Sequence, residues 1–174
     1  MFTFVAIIAI LVAAVLIYAA TRPDNFRIER STSVKAPPER LFPLLDSFHQ
    51  WEIWSPWEKV DPEIKRTYSG AESGRGAIYA WQGNKNIGEG RMEIIESMPN
   101  SRLLIKIDFL KPFEAHNTIE FTLEQQAETT KVTHAMFGRS PFISKVMGLF
   151  FSMERMVGPK FEEGLASIKT LAEK

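Results

Sequence analysis

From Pro141 to the C-terminus, apolar residues recur at Ile143, Val146, Met147, Phe150, Met153, Val157, Phe161, Leu165, Ile168 and Leu171. Steps of three and four put them on one face of a helix. Lys145, Arg155, Lys160, Glu162, Glu163 and Lys169 lie mostly off that stripe. Ser140-Pro141 reads as a cap followed by a first-turn proline. Gly158-Pro159 interrupts the pattern. Proline removes a backbone donor and crowds the preceding turn, so a kink or short break is expected there. A helix this long and one-sided needs a large apolar partner. Most of the chain between Phe26 and Gly138 reads as strands, so the expectation is an α+β domain with a long helix lying across a curved antiparallel sheet.

The first strand is read from the alternation of Phe26, Ile28, Arg30, Thr32 and Val34 with Arg27, Glu29, Ser31, Ser33 and Lys35. Ala36-Pro37-Pro38 stops it, and 39–48 reads as a short helix with Leu41, Phe42, Leu45 and Phe48 on one side. Residues 51–57 read as an aromatic loop that holds three of the 4 tryptophans: Trp51, Trp54 and Trp57. That loop either plugs one end of the core or forms the mouth of an apolar cavity. Strands are then expected over 64–69, 77–81, 87–98, 103–110, 116–123 and 130–137, separated by glycine, proline and asparagine turn signals.

Phe2 to Ala20 is uncharged and mostly Ala, Val, Ile and Leu. About 20 such residues just span the hydrocarbon of a bilayer. A signal peptide would carry a positive segment ahead of the apolar run, and Met1-Phe2-Thr3 offers none. The expected division is a transmembrane anchor over 1–22 and one domain over 23–174. Arg22, Arg27, Arg30 and Lys35 all follow the span. The positive-inside tendency then predicts a single-pass inner-membrane protein with its domain in the cytoplasm. A cleaved signal and a periplasmic domain are the alternatives.

Pairing arguments set the expected registers. Leu103, Ile105, Ile107 and Phe109 are set opposite Leu123, Phe121, Ile119 and Asn117, which also sets Lys106 opposite Glu120. Ile94 and Met92 are set opposite Ile105 and Ile107, with Glu93 opposite Lys106. Trp81 and Tyr79 fall opposite Gly88 and Gly90, where large side chains facing absent ones can leave room. The charged face is then the outer one. The inner face comprises Tyr79, Trp81, Met92, Ile94, Ile105, Ile107, Phe109, Asn117, Ile119, Phe121, His134 and Met136. That composition suits a small-molecule pocket and equally a core with two satisfied polar residues.

Catalytic and metal signatures are lacking. With 0 cysteines the chain has no disulfide and no thiolate chemistry. His49, His116 and His134 lack metal-ligand spacing, and no nucleotide or nucleophile-elbow fingerprint occurs. No cofactor is expected. A formal net charge of +0 argues against a nucleic-acid partner. His134 and Asn117 are read as core polar residues ahead of catalytic ones. Met147, Met153 and Met156 are read as helix packing, though methionine also suits adaptable apolar sites.

Several of these features together resemble a known family. They are the opening strand ending in Ala36-Pro37-Pro38, the Trp51-x-x-Trp54-Ser55-Pro56-Trp57 segment, Gly74-x-Gly76 before an aromatic strand, Met147-Gly148-Leu149-Phe150, and the closing helix. They resemble the START-like polyketide cyclase/dehydrase and lipid-transport superfamily, in a bacterial branch with an N-terminal apolar span. The resemblance covers about residues 26–174. It implies the helix-grip fold, a seven-stranded antiparallel sheet wrapped around the C-terminal helix, with a cavity for apolar ligands. It carries over no catalytic residue.

The leading expectation is a membrane-anchored binding or carrier domain for a lipid-like or polycyclic molecule. Its ligand-binding residues would be Trp54, Trp57, Tyr79, Trp81, Met92, Ile94, Ile105, Ile107, Asn117, Ile119, Phe121, His134, Met136, Met147 and Phe150. One alternative is a cyclase-like enzyme using His134 or Tyr79 as acid or base. The other is a structural partner of a membrane protein, with a filled core.

Overall fold

The computed structural model describes residues 2–149 and 152–174. Helix α1 (Phe2–Ala20) and strand β1 (Asn25–Val34) open the chain. Helices α2 (Pro38–Asp46) and α3 (Phe48–Trp54) and a 3₁₀ turn at Pro56–Lys59 follow. Then come β2 (Lys65–Gly70), β3 (Ala77–Gln82), β4 (Glu89–Met98), β5 (Arg102–Lys111), β6 (Ala115–Gln126) and β7 (Thr129–Arg139). Helices α4 (Phe142–Met147) and α5 (Met153–Ala172) close it.

The strands form one antiparallel sheet in the order β1-β7-β6-β5-β4-β3-β2. From β2 to β7 consecutive strands are neighbours joined by short connections, while β1, separated from β2 by α2 and α3, pairs with β7. With α5 against the inner face, this is the helix-grip arrangement. Period-two burial fixes which face is inner: along β6, Asn117, Ile119, Phe121 and Leu123 are buried while Thr118, Glu120 and Thr122 are not.

Phe161, Gly164, Leu165, Ile168 and Ala172 of α5 are buried. The helix runs alongside β1. Arg30 reaches Glu162 at 2.6 Å and also pairs with Glu154. Further on, Lys169 Nζ donates to the Ser33 carbonyl at 2.8 Å, and the Lys35 N–H donates to the Glu173 carboxylate at 2.7 Å.

The closing helix breaks earlier than expected. Gly148 caps α4, and Ser152 caps α5 by accepting the Arg155 N–H at 3.3 Å. Pro159 sits inside α5 without interrupting it. It falls in the second turn, past the free N–H groups of the helix start, so the Arg155 carbonyl lacks its usual i→i+4 donor while the helix runs on. Gly158 serves a different purpose there: a Cβ on it would overlap the Arg30 guanidinium.

The tryptophan segment is helical rather than a loop. The Trp51 and Trp54 indole N–H groups donate to the Leu45 and Leu44 carbonyls at 2.9 and 2.8 Å. Those carbonyls belong to the last turn of α2, which lacks intrahelical donors. The indoles thus finish one helix while forming the next.

The β4–β5 register matches expectation, with Ile94 opposite Ile105, Met92 opposite Ile107 and Glu93 opposite Lys106. A bulge between Ile94 and Glu96 leaves Ile95 exposed. Two other registers are displaced by two residues. Ile105 faces Ile119 and Ile107 faces Asn117, so Lys106 lies opposite Thr118 rather than Glu120. Trp81 faces Gly90 and Tyr79 faces Met92. A two-residue slip keeps every side chain on its face, so the apolar pattern cannot detect it. The turns decide: β5 and β6 close at Phe109 and Ala115, nearer the turn than the pattern alone implied.

Helix α1 is long and apolar enough to cross a membrane, and from Thr3 to Ala20 its side chains are exposed except at Ala19. Its C-terminal end packs on α4, beside the Lys145–Asp24 ion pair.

Candidate functional site

The inner face of the sheet is apolar from β3 to β7. Tyr79, Trp81, Met92, Ile94, Ile105, Ile107, Asn117, Ile119, Phe121, His134 and Met136 are all buried on it. Their common orientation follows from strand alternation alone. Trp54 closes one end from α3, also buried. Trp57 is half-buried on the 3₁₀ turn. Met147 lies outside this group: it is exposed on α4, the short helix that packs with α1. Its stripe position suited α5, but the break at Gly148 separates it from that helix. Phe150 lies outside the described residues.

At the centre stands a three-ring stack. The His134 imidazole lies between Phe121, with centroids 4.1 Å apart, and Phe161 of α5, 3.6 Å away. Trp51 and Trp54 meet Phe121 edge-on at 5.9 and 6.1 Å. Gly164 lets α5 approach this cluster, since a Cβ there would sit 3.3 Å from both Trp54 and Pro56. Beside the stack, between β1 and α5, runs a cleft of about 190 Å³ lined in part by Arg30, Thr32, Glu162 and Leu165.

His134 is electrostatically unusual. Neither ring nitrogen has a hydrogen-bond partner although both are buried. Burial drives its pKa down to about 3, so the ring is neutral at physiological pH. Leaving buried polar atoms unpaired costs roughly 1–3 kcal/mol for each group. Asn117 is accommodated differently. It faces Gly138, where a Cβ would overlap its side-chain oxygen.

The Tyr79 hydroxyl leaves the apolar face and donates to Glu58 at 2.7 Å. Tyr68 donates to Glu52 at 2.6 Å, and Arg66 pairs with Glu58 at 2.6 Å. Burial, reinforced by these carboxylate acceptors, raises both phenols, so they stay protonated. The cluster fastens α3 and the 3₁₀ turn to β2 and β3. Trp81 lies over Gly90, where a Cβ would overlap its indole. The space expected opposite the glycine is therefore filled by the indole itself.

The outer face carries ion pairs. Arg102 and Arg27 both hold Glu120, at 2.8 and 2.9 Å. Lys106 turns to Asp108 at 3.0 Å, and His116 meets Asp108 at 2.7 Å. Burial works against the Asp108 carboxylate, but the His116 and Lys106 bonds prevail and lower its pKa. Among the described residues, no group of three or more His, Asp and Glu side chains is arranged to hold a metal ion.

Sequence reasoning overlooked Phe161 as a site residue, although its stripe position signalled it. It also overlooked Phe48, which packs on Trp51 and Tyr79, and the Glu58 acceptor. No periodic pattern marks a carboxylate that receives a phenol from a strand.

An open antiparallel sheet gripping a C-terminal helix, with a largely apolar inner face, is the arrangement of a START-like domain. Residues 25–173 match the family described as polyketide cyclase / dehydrase and lipid transport, and the chain belongs to that family. No curated protein matches the chain. Its fold is similar to that of protein CV1439 from Chromobacterium violaceum, at 13% identity, a TM-score of 0.60, and coverage of 88% of this chain and 99% of that one. Protein MLL2253 from Mesorhizobium loti is similar at 19% identity and TM-score 0.60, covering 86% and 100%. The di-domain ARO/CYC StfQ of the steffimycin biosynthetic pathway is similar at 12% identity and TM-score 0.63, covering 86% of this chain and 51% of StfQ.

Proposed function

We propose that the domain binds a hydrophobic small molecule bearing one polar group, between the inner face of the sheet and α5. The observation that carries this reading is His134. Two buried, unpaired ring nitrogens in an otherwise apolar setting are a recognition element without a partner. A hydroxyl or carbonyl on a lipid-like or polycyclic molecule would satisfy one of them. Phe161 and α5 would part from the sheet along the β1–α5 seam to admit it. Family membership supports the ligand class. The reading is a carrier or binding domain rather than an enzyme: the rings flanking His134 are phenylalanines, which offer no second proton carrier.

Helix α1 anchors this domain to the inner membrane, with the domain on the cytoplasmic side. Its apolar, exposed surface and the following Arg22, Arg27 and Arg30 support that reading. Tethering keeps the site beside the bilayer where such ligands reside.

The test is native mass spectrometry and lipid extraction of the full chain and of His134→Phe. A co-purifying apolar species that is lost or exchanged in His134→Phe supports the reading. Its absence from both, with no uptake of apolar probes, would overturn it. A C-terminal reporter active only outside the cytoplasm, or a mature N-terminus near Thr21, would overturn the anchor and its topology.

A second reading is favoured by the close packing of Phe121, His134, Phe161 and Trp54. In it the core is filled, and the domain serves as a structural partner of another membrane protein.

A further inference from the structure

The strand registers collect one set of chain segments at a single end of the sheet. Asn25 pairs with Arg139, Asn117 with Gly138, and Phe109 with Ala115. The start of β1, the end of β7 and the β5–β6 turn therefore share that end. Helix α1 leaves the domain there, just before Asn25, and α4 begins there, just after Arg139. Neighbouring strands lie about 4.8 Å apart, so the β5–β6 turn sits roughly 10 Å along the sheet end from β7.

This end exposes large apolar side chains among charged ones, Glu114 and Lys111 beside Phe113 included. Phe113 at the β5–β6 turn is 70% exposed, and Leu110 beside it is 55% exposed. On α4, Ile143 is 66% exposed, with Phe142 and Met147 also exposed. Exposed aromatic and aliphatic side chains gathered on one side mark an interaction surface. Arg22, Lys85 and Arg139 are exposed at the same end, on the α1–β1 connection, the β3–β4 loop and the end of β7. The Lys145–Asp24 pair holds α4 beside the exit of α1.

We infer that the β5–β6 turn and α4 form a lip that inserts shallowly into the lipid surface, with the basic side chains against anionic headgroups. The occupant is a bilayer because the surface is continuous with the exit point of the apolar helix α1. Apolar side chains at the interface and basic residues near anionic lipid both strengthen such contact. The inference rests on the reading of α1 as an anchor. It adds that the domain is held in one orientation, with this end of the sheet against the membrane.

The chain holds 0 cysteines, so single-cysteine variants of the full chain carry one label each. Phe113→Cys and Ile143→Cys would be labelled with an environment-sensitive fluorophore, with Ser101→Cys at the β4–β5 turn as the distant control. Each is reconstituted into phosphatidylcholine–phosphatidylglycerol vesicles containing acyl-chain-brominated lipid. Flotation and circular dichroism confirm insertion and folding. Severalfold stronger quenching at 113 and 143 than at 101 is expected, weakening when phosphatidylglycerol is omitted. Floating chains in which all three labels are quenched equally weakly would overturn the lip and leave the anchor standing. A chain that never floats with the vesicles would overturn both. Disulfide-linked dimers of Phe113→Cys without lipid quenching would assign the face to a second copy of the chain, and that too would overturn the inference.

Discussion

His134 of β7 and Phe161 of α5 stack with their ring centroids 3.6 Å apart, and this contact joins sheet to helix at the middle of the core. It brings together a strand residue and a helix residue far apart in sequence. It also holds an imidazole where water cannot solvate its charge.

That position makes stability depend on pH. The folded-state pKa of His134 is depressed to about 3 from an ordinary 6.5. The unfolded chain therefore takes up a proton that the folded chain refuses. The contribution is fully present above about pH 6.5 and is lost progressively as pH falls towards 3, at about 1.4 kcal/mol per pH unit. His134→Phe keeps an aromatic ring in the stack and should remove that slope. Urea unfolding of both proteins at about pH 7 and about pH 5 should show the wild type losing about 2 kcal/mol more than the variant.

Phe121 is fully buried against Trp51, Trp54 and His134. Phe121→Ala should therefore cost about 3–5 kcal/mol in denaturant titrations of the ligand-free protein. An apolar probe that occupies the vacated space should restore part of the loss. Uptake of the probe by the wild-type protein, with Phe121 in place, separates the carrier reading from the filled core, because a cavity made by truncation binds apolar probes in either case.

Gly88 and Gly90 are not interchangeable with larger residues. Gly88 has a φ of 67°, and a Cβ there would overlap the Lys111 carbonyl. Gly88→Ala should destabilise by more than about 1 kcal/mol. Gly90→Leu should displace the Trp81 indole, which a shift in tryptophan emission would report. Unchanged emission would mean that Trp81 does not rest on Gly90.

On the outer face, Lys106 is half exposed and pairs with Asp108 at 3.0 Å. Lys106→Ala should cost under about 1 kcal/mol by thermal or chemical unfolding. A loss of several kcal/mol would mean that the solvated face has been misassigned.

Much of this architecture is visible in the residue pattern, and the exceptions share a cause. Strand alternation identifies the inner face because a buried face is predominantly apolar, with polar exceptions such as Asn117 and His134. Thus Ile105, Ile107, Ile119 and Phe121 are assignable to it from the residue pattern alone. The pairing partners of Trp81 and Ile107 are not, because a slip of two residues leaves the burial pattern unchanged. The helical state of Trp51 and Trp54 depends on indole bonds to Leu45 and Leu44, which no periodicity encodes. The break after Met147 depends on Gly148 and Ser152 acting as caps. Gly158-Pro159 is the stronger local breaker signal, yet α5 continues through it, with Phe161, Leu165 and Ile168 buried beyond it. The unpaired state of His134 is a property of its three-dimensional surroundings and has no local signature.

Strand β1 is the segment through which α1 joins the domain. It pairs with β7 over ten residues, from Asn25 with Arg139 to Val34 with Thr130, and α5 grips it through Arg30 and Ser33. A pull on the chain ahead of Asn25, directed along the strand, would load these bonds in shear, all at once, instead of peeling them singly. The domain is thus mechanically strongest along the line by which it is attached.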